Sequence, residues 1–299
     1  MDKSAIAGKT KLLGVIGHPV EHSLSPVMHN AAIAHLGVDY VYLPLPVKPE
    51  DLKAALEGFA AIALHGFNAT IPHKQAILPF LSTVSPTAEA VGAVNTVWRT
   101  DEGWAGTNTD VEGFLAPLIV KGNDGQDWSQ KVAVILGNGG AARAVVAGCA
   151  ELGFAEIYVV GRDAQKLEEF HHSWSNSPLS SKLSDRLHVR TWDNLSQLIP
   201  QATLLVNTTP LGMHPHVERS PLSTAEIALI PQGAIAYDLI YTPRPTRFLQ
   251  QAQQQGAIAI DGLEMLVQQG AAALKIWLQQ PVPVDIMRQA LQQHLECQS

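Results

Sequence analysis

Residues 131–153 read KVAVILGNGGAARAVVAGCAELG. The first part is an apolar, β-branched run ending at Gly137, and the last part is rich in helix formers and stops at Gly153. Between them Gly137-Asn138-Gly139-Gly140-Ala141-Ala142 forms GxGxxA, a dinucleotide-binding turn with alanine in the third position. Glycine allows the tight turn and lets backbone N–H groups approach a pyrophosphate. The helix N-terminus behind it adds roughly half a positive charge. A second strand, Glu156–Gly161 (EIYVVG), follows at the right distance and ends at Arg162-Asp163. At this strand end an acid suits a ribose 2′-hydroxyl, and an arginine suits a 2′-phosphate. Arg162 therefore favours NADP over NAD, and Lys166 adds positive charge. Asp163 would oppose a phosphate if it pointed inward.

The same rhythm continues outward. Residues 187–192, 203–208 (TLLVNT), 234–240 (AIAYDLI) and 257–260 are further apolar runs separated by helix-length segments. They predict a doubly wound parallel sheet buried on both faces. Residues 173–185, rich in Ser and Asn, read as a surface loop. The first hundred residues predict a separate α/β domain. There 11–17, 40–47 and 63–71 read as strands, and 94–99 with 103–107 as a strand pair. Ser25-Pro26 reads as a helix start with Ser25 as N-cap, and Gly37 as its end. Residues 51–57 read as a helix, and Pro72 opens another. Beyond Gly262, Leu263, Leu266, Val267, Gly270, Leu274 and Trp277 form one stripe at the helical period, and a terminal helix follows Pro283. The stripe needs a partner, which we place on the first domain. The expected fold is α/β: an N-terminal α/β substrate domain over 1–110 plus 262–299, and a Rossmann-type doubly wound dinucleotide-binding domain over 111–261, with a cleft between them.

Composition narrows the function. The 299 residues are 46% hydrophobic and 16% charged, and 20 Lys+Arg against 27 Asp+Glu leave a net charge of -7. Such a chain buries a core, which excludes a disordered protein. A mildly acidic chain without basic clusters argues against nucleic acid or an anionic membrane as partner. Cys149 and Cys297 make neither a disulfide framework nor a zinc cluster. His18, His22, His29 and His35 lack metal-ligand spacing, so no metal is expected. The start, MDKSAIAGKTKLLGVIGHPV, reads as lacking a secretory signal, and no apolar stretch approaches the roughly 18 residues that span a bilayer. A soluble, cytoplasmic protein is expected, as monomer or homodimer.

Four polar clusters stand at ends of apolar runs: His22-Ser23-Leu24-Ser25, Asn68-Ala69-Thr70, Asn95-Thr96 and Thr107-Asn108-Thr109-Asp110. Lys74 follows the second. Ser25, Thr70, Thr109 and Asp110 also read as helix caps. Together, short hydroxyl and amide side chains suit a small polyhydroxylated acid.

These clusters carry a resemblance. Residues 17–30, with Gly17-His18-Pro19, His22-Ser23-Leu24-Ser25-Pro26 and His29-Asn30, resemble the GxPxxHSxSPxxHN stretch of shikimate dehydrogenases. Asn68 to Lys74 resemble their NVTxPxK, Ala93 to Thr96 their AVNT, Gly106 to Asp110 their GxNTD, and Gly137 to Ala144 their GxGGAxRA. Tyr237 to Tyr241 and Asp261 to Gln269 resemble two later blocks. The likeness runs from about residue 14 to 277. The departures are Ala69 for valine, Leu274 for phenylalanine, and Gly161-Arg162-Asp163 where NADP-using members show Asn-Arg-Thr.

The resemblance implies reversible NADPH-dependent reduction of 3-dehydroshikimate to shikimate, in the biosynthesis of chorismate and aromatic amino acids. It implies that Ser23, Ser25 and Tyr241 hold the substrate carboxylate. Asn68, Thr70, Asn95, Asp110 and Gln269 would bind or neighbour its other oxygens, and Lys74 would be the acid/base paired with Asp110. Gly137, Asn138, Gly139, Gly140, Ala141, Arg162, Asp163, Lys166, Leu239 and Gly262 would serve NADP(H). A carboxylate at about 4 Å favours an ammonium by about 4 kcal/mol at an effective dielectric of about 20. A helix first turn disfavours it by only about 0.3–1 kcal/mol. Lys74 is thus expected as a cation that donates a proton. The alternatives are an NAD-preferring quinate/shikimate dehydrogenase and a non-catalytic nucleotide-sensing module.

Overall fold

The structure, a computed structural model, describes residues 6–121 and 127–297. Residues 1–5, at the head of the stretch read as lacking a secretory signal, lie outside it, as do 122–126 and 298–299. The chain divides into two compact units. The first runs to Gly113 and resumes at Leu266, and the second is Phe114–Met265.

The first unit opens with β1 (Lys11–Gly17), α1 (Ser25–Leu36), β2 (Tyr40–Pro46), α2 (Leu52–Ala61), β3 (Gly66–Ala69) and α3 (His73–Ala76). It continues through β4 (Thr83–Val84), α4 (Pro86–Val91), β5 (Thr96–Thr100) and β6 (Gly103–Thr107). The chain passes into the second unit inside α5 (Asp110–Lys121). There follow β7 (Val132–Leu136), α6 (Gly140–Leu152), β8 (Glu156–Gly161), α7 (Ala164–His172), α8 (Ser180–Leu183) and β9 (Leu187–Thr191). Next come α9 (Leu195–Leu198), β10 (Leu204–Asn207), α10 (Thr224–Ile227), β11 (Ile235–Asp238), α11 (Arg247–Gln254) and β12 (Ile258–Ile260). The chain returns to the first unit inside α12 (Leu263–Leu278) and ends in α13 (Val284–Glu296).

The first sheet has the order β2-β1-β3-β5-β6-β4. β1 lies parallel to β2 and β3, whereas β5 runs antiparallel to β3 and β6. Ile16, Phe67, Val97 and Trp104 fill its core. β3 is shorter than the apolar run around it, because Ala63 takes a left-handed φ of 56° behind α2 and delays the ladder. Two capping expectations are corrected. Ser25 is the first helical residue of α1, Leu24 is its N-cap, and no side chain caps it. The Ser25 amide donates to Ser23 Oγ instead. Thr70 serves α3 through its main-chain carbonyl, which accepts from the His73 amide at 2.7 Å, and its hydroxyl is no cap.

The stripe on α12 packs within the first unit. Trp277 Nε1 donates to the Val97 carbonyl at 2.9 Å. A Cβ on Gly270 would stand 2.3 Å from Met28 Cε, so the methionine side chain fills the space that glycine leaves. α13 packs on α1.

The second sheet is parallel throughout, in the order β12-β11-β10-β7-β8-β9. This is the doubly wound pattern, with its switch point between β7 and β10, where ligands of such sheets bind beyond the strand ends. Val134, Leu136, Val160, Leu205 and Phe248 belong to its core. α8 interrupts the stretch read as an unbroken loop. Among the described residues no helix is long and apolar enough to cross a membrane.

Candidate active site

The first unit concentrates its polar side chains where β1, β3 and β6 end and β5 begins. Asp110 opens α5 and makes three hydrogen bonds, two through its carboxylate and one through its amide. Lys74 Nζ, from α3, donates to Asp110 Oδ2 at 2.6 Å, and Asn95 Nδ2 donates to Oδ1 at 2.9 Å. The Asp110 amide donates to Asn108 Oδ1, which turns the backbone into the helix. The ion pair is shielded, with side-chain exposures of 18% for Lys74 and 7% for Asp110. A charge-assisted contact at this burial is stronger than an exposed pair. Asn95 is held in turn: its Oδ1 accepts from the Thr109 amide at 2.8 Å, and its Nδ2 faces Gln269 Oε1 at 3.3 Å.

Asn68, on β3, is buried beside this set. Its Nδ2 donates to the Asn95 carbonyl at 3.0 Å and to Thr96 Oγ1 at 3.2 Å. Its Oδ1 accepts from the Tyr42 hydroxyl at 2.6 Å. Ser25 shares a side-chain hydrogen bond with the same phenol, opposing the burial that raises Tyr42 well above the ordinary tyrosine range. Thr70 stands at the end of β1, its Cγ2 2.6 Å from where a Gly17 Cβ would be. Ser23, Ser25, Asn68, Thr70, Lys74, Asn95, Asp110 and Gln269 all belong to the first unit, whereas Tyr241 belongs to the second. Tyr42 escaped the sequence reading as a site member, and Thr96 entered it only within the Asn95-Thr96 cluster. Alternation along β2 turns Tyr42 inward, but nothing in the sequence says what its hydroxyl meets.

In the second unit the glycine turn has the geometry a pyrophosphate needs. Gly137 takes φ 106°, and a Cβ there would meet Thr208 Oγ1 at 2.7 Å. A Cβ on Gly139 would meet nothing within 4 Å, so that face of the turn is open. α6 begins at Gly140 without a side-chain cap, which leaves its first amides and its dipole for an anion. At the end of β8 a Gly161 Cβ would press on Leu167 at 3.0 Å and on Asn138 Oδ1 at 3.2 Å. A larger side chain there would require both neighbours to give by a few tenths of an ångström. Asp163 caps α7, accepting from the Gln165 and Lys166 amides at 3.0 and 3.1 Å. Its charge is thus spent on a helix N-terminus, which removes the main objection to a 2′-phosphate near Arg162. Arg162 is exposed and pairs with no carboxylate among the described residues. Leu239 and Gly262 come together: a Cβ on Gly262 would lie 2.1 Å from the Leu239 carbonyl oxygen. Arg244 fastens the loop between them to Asp261 at 2.7 Å. The residues present therefore fit a phosphorylated dinucleotide.

A glycine turn at the switch point of a doubly wound sheet, and a shielded ammonium–carboxylate pair among hydrogen-bonding side chains, are the parts of a nicotinamide-dependent dehydrogenase. Comparison with known proteins narrows the class. Residues 15–97 match the model of the shikimate dehydrogenase substrate binding domain, and residues 262–292 that of the shikimate 5′-dehydrogenase C-terminal domain. The shikimate dehydrogenase (NADP(+)) of Trichormus variabilis is 69% identical over 291 residues, covering 97% of this chain and 99% of its own. The crystal structure of shikimate dehydrogenase from Aquifex aeolicus superimposes with a TM-score of 0.84 at 35% identity, over 96% of this chain and 99% of that one. That of Thermus thermophilus shikimate 5-dehydrogenase, solved with NADP(H) and shikimate, gives 0.81 at 35% identity, over 95% and 99%. The chain belongs to the shikimate dehydrogenase family.

Proposed function

We propose that the protein catalyses the reversible NADPH-dependent reduction of 3-dehydroshikimate to shikimate, with Lys74 as proton donor and Asp110 as its anchor. The observation that carries this reading is the 2.6 Å pair of Lys74 Nζ with Asp110 Oδ2 among Asn95, Asn68 and Gln269. When bound, NADPH supplies the hydride. The ketone oxygen then gains charge, and a fixed ammonium lowers the cost of that charge and hands over a proton. Asp110 orients the ammonium, and Asn95 orients Asp110. In the reverse direction Lys74 takes the proton from the hydroxyl.

Ser23 and Ser25 are assigned to the substrate carboxylate, with Tyr241 as a further ligand. Thr70, Asn68, Asn95, Asp110 and Gln269 are assigned to the hydroxyl and keto oxygens. The turn from Gly137 to Ala141 is assigned to the pyrophosphate, and Arg162 with Lys166 to the 2′-phosphate, while Asp163 positions them by capping α7. Leu239 and Gly262 are assigned to the cofactor's other end. On this reading the first unit is the substrate domain and the second the cofactor domain. The enzyme works in the cytoplasm on a small molecule, without nucleic acid or membrane as partner.

The test is nicotinamide absorbance with NADPH or NADH against shikimate or quinate. NADPH with shikimate is expected to give the highest kcat/KM. Lys74→Met is expected to lower kcat by about 10²- to 10⁴-fold with the fold intact. Asp110→Asn should lower kcat more than it raises KM. A Lys74→Met enzyme that kept wild-type kcat would end the proton-donor assignment.

A further inference from the structure

Tyr42 lies in the first unit, 1% exposed, with its ring stacked on His29 at 4.2 Å between centroids. Trp277 leans on the pair, 5.7 Å from His29 and 6.0 Å from Tyr42. Two neighbouring rings thus hold the phenol in one orientation, and its hydroxyl reaches Asn68 Oδ1 at 2.6 Å.

The hydrogen-bond valence of Asn68 can be counted. An amide has two N–H donors and two acceptor lone pairs. One N–H faces the Asn95 carbonyl and the other Thr96 Oγ1. A carbonyl cannot donate, so the amide cannot be turned end for end, and its oxygen must face Tyr42. Tyr42 must then be the donor. One valence of Asn68 is left, a single lone pair on Oδ1.

We infer that Tyr42 is a positioning and specificity-determining residue: the Asn95 carbonyl and Thr96 turn Asn68 so that it can only accept, and the Tyr42 O–H takes one Oδ1 lone pair and holds that oxygen in place, so that the remaining lone pair selects a substrate hydroxyl that donates and rejects a carbonyl or ether oxygen at that position. The inference rests on the assignment of Asn68 to the substrate. His29 supplies the surface on which the phenol lies and touches no substrate group. Ser25, hydrogen-bonded to the same phenol, ties the carboxylate end of the site to the same anchor.

The test is Tyr42→Phe, which removes one oxygen and keeps the ring. KM for shikimate is expected to rise about five- to tenfold, the worth of one hydrogen bond, with kcat and KM for NADP+ within about twofold of wild type. Asn68→Ala should lose at least as much, and Tyr42→Phe added to Asn68→Ala should cost clearly less than Tyr42→Phe alone, because the phenol acts chiefly through the amide. His29→Phe keeps a ring beneath the phenol and should leave shikimate KM within about twofold. Calorimetric titration of shikimate into each variant, without cofactor, reads the same difference where turnover is low. An unchanged KM in Tyr42→Phe, or losses that multiply in the double variant, would overturn the inference while leaving the proposed reaction standing. Wild-type protein inert toward shikimate would bring down both.

Discussion

His29 is fully buried, and neither ring nitrogen has a hydrogen-bond partner among the described residues. Burial alone pushes its pKa down to about 3. Below about 6.5 the unfolded chain binds a proton that the native chain refuses, so stability falls as pH drops from there toward 3, by about 1 kcal/mol per pH unit. His29→Phe should flatten this acid limb in urea titrations between neutral and mildly acid pH, and an unchanged limb would refute the assignment. Residue types carried much of the site into the sequence reading. Lys74 and Asp110 stood out as the chargeable groups among hydroxyls and amides, and the family resemblance implied their pairing. The direction of hydrogen bonds was hidden. Ser25 and Ser85 both precede proline, yet only Ser85 caps its helix, accepting from the Ala88 amide at 3.2 Å. The difference lies in position, since Ser85 is the extended residue ahead of its helix whereas Ser25 is already helical behind Leu24.

At the scale of elements, the end of β11 and the start of α11 share one carboxylate. Asp238 accepts from Asn207 Nδ2 at 3.0 Å, from the Ile240 amide at 3.1 Å and from Thr246 Oγ1 at 2.7 Å. Thr246 also caps α11. Burial outweighs these donors and lifts the carboxyl to about 7. The sign is opposite to that of His29. The native state keeps a proton that the unfolded chain sheds above about 4, so the associated stability is complete below that pH and fades as pH rises through 7. Asp238→Asn should remove this slope in pH-dependent calorimetry while the loop survives, because its amide can donate to Thr246 Oγ1. A slope that persisted would place the proton elsewhere. Gly262 serves the same region by absence. Gly262→Ala puts a methyl on the Leu239 carbonyl and should cost about 1–3 kcal/mol, read from the urea midpoint. Strands were legible wherever the ladder runs its full length: β1, β6 and β8 begin and end where their apolar runs do. β4 was not, for two residues leave no periodicity.

For the whole molecule, the two buried groups pull against each other. His29, in the first unit, favours higher pH, and Asp238, in the second, favours lower. Removing either should move the pH of greatest stability, toward acid in His29→Phe and toward alkali in Asp238→Asn. The sequence disclosed two α/β bodies because each sheet has its own rhythm, mixed in one and parallel in the other.

Trp277 donates to Val97 across 180 positions of chain. A ribosome that has reached Met265 has delivered every residue of the second unit, but the first still lacks the helix whose indole seals β5. The part of the protein made earliest is therefore completed last, and a nascent chain must keep its unfinished N-terminal half from aggregating until the final helices emerge.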